Sequence, residues 1–147
     1  MSSNANLGLT VRIRQQFTFT ANDETLNRII RNISNSGVSF TAFTITKLQN
    51  TNLVRAVVGP PGTNDPNANR VVREALRSSG VRFREEEVIQ LLGLTTGVVG
   101  VLSRIYAALF RNVKVKAIYQ GEENAIIINV SDVRTALRLL ERNDIIG

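Results

Sequence analysis

The chain has 147 residues, 43% of them hydrophobic but only 5% aromatic, and a formal net charge of +6. That length holds one ordinary domain or two small fused units, and the composition calls for a packed aliphatic core rather than disorder. With no cysteine and no histidine, thiol catalysis, disulfides, Cys/His zinc sites and histidine acid–base chemistry are excluded.

The first residues, MSSNANLGLT, carry no apolar signal core. No apolar run reaches the roughly 18–20 residues that a membrane helix needs. A cytoplasmic protein is therefore expected, with no membrane association. The arginines are spread over every segment, and no aromatics are interleaved with them as a base-stacking platform requires. The charge reads as a basic surface, and a nucleic-acid partner is not expected.

Residues 1–8 read as a flexible tail. Residues 9–19 alternate, with Leu9, Val11 and Ile13 on one parity before Phe17 and Phe19, so a half-buried strand is expected. Residues 20–23 offer a turn and a helix N-cap. From Glu24 the period changes: Leu26, Ile29, Ile30 and Ile33 fall on one helical face, and Ser36-Gly37 closes the helix. Residues 38–48 form the next strand, with Val38, Phe40 and Ala42 on one side. Residues 53–58 are apolar on both faces except at Arg55, as in a central strand.

Residues 59–69 hold all three prolines and read as a surface loop. Asp65-Pro66 starts a helix with Pro at its first position. Its apolar face is Val71, Val72, Ala75 and Leu76, and Ser79-Gly80 ends it. Residues 81–94 are one extended run. A helix is expected over 98–111, with Val98, Val101, Leu102, Ile105 and Leu109 as its buried stripe. Strands at 113–120 and 124–130 flank a Gly121-Glu122-Glu123 hairpin turn. Ser131-Asp132 caps a last helix, 133–141, and residues 144–147 offer a final short strand.

The order is strand–helix–strand–strand–helix–strand, twice. Leu26-Asn27-Arg28-Ile29 matches Leu102-Ser103-Arg104-Ile105 at an offset of 76 (102 − 26). Val38, Phe40 and Ala42 match Val113, Val115 and Ala117 at 75 (113 − 38). Residues 72–77 match 133–138 at 61 (133 − 72), the fall reflecting a proline loop that the second half lacks. Each half is a split βαββαβ arrangement. Alone, about 70 residues bury little and leave sheet edges open, so two fused copies are expected.

The residues Thr96-Gly97-Val98-Val99-Gly100-Val101-Leu102, the strand end Ala117-Ile118-Tyr119-Gln120, and the run 124–137 closing on Val130-Ser131-Asp132 resemble the ACT family of small regulatory domains. That family opens its first helix with a Pro-Gly-x-Leu-like turn and closes its third strand with Val-x-Asp. Here Thr96 stands in place of Pro, and Ala21-Asn22-Asp23-Glu24-Thr25 in the first half has no glycine. The resemblance covers residues 9–147.

It implies an α+β fold of two fused ferredoxin-like ACT units, 9–87 and 88–147, each an antiparallel sheet with helices on one face. It also implies a tandem, non-catalytic, regulatory protein that is a homodimer, binds a small effector, commonly an amino acid, and acts on a partner enzyme. In that family the ligand meets the first strand-to-helix turn. A helix start presents free N–H groups and positive potential there. The candidate ligand-binding residues are therefore Leu94, Thr95, Thr96, Gly97 and Val98. At the equivalent turn in the first half, 22–25, Asp23 and Glu24 repel a carboxylate, so one site per chain is expected. No cofactor and no metal are expected, because Glu85, Glu86 and Glu87 alternate across a strand and cannot converge. The plainer alternative is the same fold used as a structural or assembly module, dimerising through sheet or helix faces without a small ligand.

Overall fold

A computed structural model describes residues 6–95 and 100–147. Its elements are β1 (Thr10–Ala21), α1 (Asp23–Asn35), β2 (Phe40–Lys47), β3 (Asn52–Val58), α2 (Pro66–Ser78), β4 (Phe83–Leu92), α3 (Val101–Leu109), β5 (Val115–Gln120), β6 (Ile126–Val130) and α4 (Val133–Arg142). The fold is α+β, and β1–β3, β2–β3, β4–β6 and β5–β6 pair antiparallel. Two compact units emerge, residues 14–87 and residues 1–13 with 88–147.

In unit 14–87 the strands run β2-β3-β1-β4. Phe17, Phe19 and Ala21 of β1 share one face with Val54, Ala56 and Val58 of β3. The period-two side chains of those strands are covered by two helical stripes, Leu26, Ile29 and Ile33 from α1 and Ala68, Val72, Ala75 and Leu76 from α2. Both helices therefore lie on one face of this sheet. Asn22 caps α1 by accepting the Thr25 amide at 2.8 Å, and Asp65 caps α2 with Pro66 at its first turn.

In the other unit the strands run β5-β6-β4 and continue into the first residues of β1. Ile89, Leu91, Ile126, Ile128 and Val130 face Val101, Ile105 and Leu109 of α3 and Ala136, Leu139 and Leu140 of α4. Again both helices cover one face. Residues 9–13, read from the sequence as part of the N-terminal unit, lie here. The amides of Leu7 and Leu9 donate to the carbonyls of Asp144 and Ile145 at 2.8 and 3.0 Å, and Leu9 bridges Ile146 in parallel. Leu7 and Gly8, placed by the sequence in a flexible tail, are thus tied to the chain's last residues, because Leu7 also packs on the core.

Two further sequence expectations change. Leu102, assigned to the buried stripe of α3, is 58% exposed, because the stripe steps Val101, Ile105, Leu109 instead. A register shift between Phe40 and Ala42 puts Phe43 and Ile45, in place of Ala42, on the same helix-covered face as Phe40, against simple alternation, and both stay partly exposed on this edge strand. The expected helix start at Val98 lies outside the described residues.

The two units share unusual details. The β5–β6 ladder shifts between Val115 and Ala117, as β2–β3 does between Phe40 and Ala42, an offset of 75 (115 − 40). Just beyond, the Gly59 amide donates to the Ser39 carbonyl at 2.9 Å, and the Ser131 amide to the Lys114 carbonyl at 3.0 Å. Both α2 and α4 end on a left-handed residue, Gly80 (φ 70°) and Asp144 (φ 60°). In each, the next amide returns to a carbonyl five residues back: Val81 to Leu76 at 3.0 Å and Ile145 to Leu140 at 2.9 Å. These ends correspond at an offset of 64 (144 − 80), so the six-residue match at 61 aligned similar helix formers one turn out of phase.

Arg14 is fully buried where the β1–β3 ladder stops, at the pair Phe17 and Ala56. Its Nη2 donates to the carbonyls of Val58 and Pro60, each at 3.0 Å. Burial lowers its pKa while the charge of Asp65 raises it, and a guanidinium stays protonated regardless.

Candidate functional site

Each unit has one turn that carries a strand into its first helix, and the two are built differently. In unit 14–87 the strand register aligns Ala21 with Asn52 and Asn52 with Lys47, so three strand ends meet beside the start of α1. The Asp23 carboxylate accepts Lys47 Nζ at 2.5 Å and Asn52 Nδ2 at 2.8 Å. The same Asn52 amide donates to the Ala21 carbonyl at 3.0 Å. The hydrogen bond from Lys47 is the first cause holding the Asp23 carboxyl below its usual range, followed by that from Asn52. This helix start is supplied with negative charge by its own chain: Asp23 and Glu24 stand in the first turn, and Asn22 takes one free amide.

In the other unit, Leu94 is half-buried against the core and Thr95 is exposed. Thr96, Gly97 and Val98 lie outside the described residues. Gly100 is the N-cap of α3 at φ 82°, a left-handed conformation that suits glycine, and the Arg104 amide donates to its carbonyl at 2.9 Å. Among the described residues no side chain caps α3, and its first turn has no acid. Its three counterparts are capped by Asn22, Asp65 and Asp132. The register pairs Leu91 with Ile126 and Ile126 with Gln120, so the hairpin bearing Glu122, Glu123 and Asn124 sits at the same sheet end as the turn leaving β4. All three hairpin residues are exposed, and Glu123 and Asn124 hold positive φ.

The charges at the two ends are thus inverted. One unit has an acid on the turn and Lys47 on the hairpin; the other has two acids on the hairpin and none at the described start of α3. The Lys47–Asp23–Asn52 cluster was not visible in the sequence, since its members lie 24 and 29 residues apart and meet only through strand register. Glu85 is engaged by Arg73 in a two-pronged pair at 2.9 and 2.8 Å, which accounts for its lowered pKa. Among the described residues no cluster of acids could hold a metal, and no helix is long and apolar enough to cross a membrane.

No family model and no curated protein matches the sequence. Solved structures do match in fold. A Bacteroides thetaiotaomicron protein, BT0572, superposes with a TM-score of 0.69 at 14% identity, over 90% of this chain and 89% of that one. The regulatory subunit of aspartate kinase from Thermus thermophilus, in ligand-free form, gives 0.63 at 11% identity, over 95% and 99%. Escherichia coli aspartokinase III in complex with aspartate and ADP gives 0.55 at 16% identity, over 97% of this chain but 34% of the enzyme. The chain therefore has the fold of a regulatory subunit of that kind, and these identities speak to fold alone.

Proposed function

We propose that this chain is a non-catalytic regulatory protein of ACT type that binds one amino acid at the start of α3, through Leu94, Thr95, Thr96, Gly97 and Val98. It works in the cytoplasm on a partner enzyme, as a homodimer. The observation that carries the reading is the inverted charge at the two turns. Asp23 and Lys47 form, within one unit, the carboxylate–ammonium pair that a free amino acid carries in itself. In the other unit a zwitterion supplies what is missing. Its carboxylate takes the helix-start amides, and its ammonium faces Glu122 and Glu123. Duplication supports this comparison, since the two units share a bulge, a following backbone hydrogen bond and a helix stop. Among the fold neighbours, aspartokinase III was solved with lysine and aspartate.

A thermal-shift panel of the common amino acids, each beside the same acid lacking its amine, tests the reading. One amino acid at 100 times its dissociation constant stabilises by about 2.7 kcal/mol, and its des-amino counterpart does not. Gly97→Val abolishes the response. A flat panel contradicts the reading and favours the assembly module, for which the exposed side chains of β2 speak.

A further inference from the structure

We infer that the outer face of α3 is a docking surface for an amphipathic helix of a partner protein, one whose apolar stripe is flanked by acidic side chains. This names the partner side of the regulatory reading and rests on it, while the effector turn takes no part in the contact.

Leu102, Tyr106 and Phe110 stand four residues apart, one above another on successive turns. Phe110 keeps helical backbone geometry, and its amide donates to the Tyr106 carbonyl at 3.0 Å. The three side chains are 58%, 50% and 47% exposed. The Tyr106 and Phe110 rings lie parallel, 5.7 Å apart, and the Arg111 guanidinium sits 5.3 Å from the centre of the Phe110 ring. Ring on ring and cation on ring hold the row in one arrangement before any partner arrives. Half-exposed, these side chains offer roughly 300 Å² of contiguous apolar surface, the size at which a patch on a monomer is often functional. The fold does not need the row, because α3 already gives Val101, Ile105 and Leu109 to its core. The helix at the same place in the other unit shows the contrast: every exposed residue of α1 is polar, Arg28 and Arg31 included.

Shape and charge name the occupant. A row of side chains four residues apart is a ridge, and such ridges pack into the grooves of a second helix. Beside this ridge Ser103 and Ala107 are exposed and small, which leaves room for the partner's own ridge. From Val88 to Gly121 the sequence holds no acid and four cations, Arg104, Arg111, Lys114 and Lys116. Among the described residues neither Arg111 nor Lys114 is in an ion pair. Acids flanking the partner's stripe are therefore complementary to this face. A second copy of the chain brings the same cations and no acid, so two such faces repel. The patch is small, and a transient, micromolar contact is expected.

The probe is a fluorescein-labelled synthetic helical peptide with leucines along one stripe and glutamates beside it, read by anisotropy against the full-length protein. It binds, and the same peptide with lysines in place of the glutamates does not. Tyr106→Ser combined with Phe110→Ser weakens binding by about tenfold or more. Phe43→Ser, at another exposed aromatic, leaves it unchanged. Raising the salt concentration weakens it. Circular dichroism confirms that each variant is folded. No binding of the acidic peptide, equal binding of the lysine peptide, or binding untouched by the double substitution overturns the inference. Phosphatidylserine vesicles that bind through Tyr106 and Phe110 where the peptide does not would assign the face to a membrane and overturn it too. A flat effector panel with intact peptide binding overturns the effector reading alone, and a responding panel without peptide binding overturns this inference alone.

Discussion

The turns into α1 and α3 occupy the same place in their two units, yet their described residues are built differently. Asp23 draws Lys47 and Asn52 to the first turn of α1, and Asn22 caps it. Among the described residues, α3 begins on Gly100 with neither an acid in its first turn nor a side-chain cap. A helix start attracts negative charge wherever it occurs; the proposed function rests on that charge being supplied by Asp23 and Glu24 at one turn while the described residues of the other supply none.

The comparison first requires that the units be equivalent inside. Ile29 in α1 and Ile105 in α3 are both fully buried on the helix face of their sheets. Ile29→Ala and Ile105→Ala each cost about 2–5 kcal/mol in urea unfolding. A loss below 1 kcal/mol at either position breaks the equivalence of the two cores.

The helix starts separate the units at smaller cost. Gly100→Ala forces a side chain into a left-handed conformation and destabilises by about 1–2 kcal/mol, even though nothing lies within 4 Å of the added Cβ. Asn22→Ala removes the cap of α1 and costs about 1 kcal/mol. Both are read from denaturant midpoints.

Acidity sharpens the same contrast. The carboxyls of Asp23, Glu85 and Asp132 all titrate below their usual range in the folded chain, held there by Lys47, Arg73 and Thr135 respectively. A depressed carboxyl adds stability above its unfolded pKa and loses it as pH falls through the folded one. The melting temperature therefore holds level from about pH 5.5 to 7, where no side chain of ordinary pKa titrates in a chain without histidine, and falls below about pH 4. Asp23→Asn shifts the onset of that fall slightly toward lower pH. A decline centred near neutrality contradicts the assignment of these groups.

Much of this architecture could be read from residue patterns. Period-two runs at Phe17 and Phe19 and 3.6-period stripes such as Leu26, Ile29 and Ile33 depend on local spacing, and the caps Asn22, Asp65 and Asp132 on local chemistry. What escaped depends on pairing between strands. The register shift that brings Phe43 and Ile45 to the face of Phe40 inserts a residue that alternation cannot foresee. Lys47 and Asn52 reach Asp23 only through the ladder. Leu102 was misplaced for a different reason: the four-residue match aligns the buried Ile29 and Ile105 correctly, but at its first position α3 buries Val101 in place of Leu102. Of the candidate ligand turn, Leu94 and Thr95 are among the described residues, and Leu94 packs against the core.

Isothermal titration with the amino acid that emerges from the stabilisation panel tests the division of duties most directly. One molecule binds per chain, Asp23→Ala leaves that stoichiometry and affinity unchanged, and Glu122→Gln with Glu123→Gln weakens it. Two molecules per chain, or loss of binding in Asp23→Ala, contradicts the account.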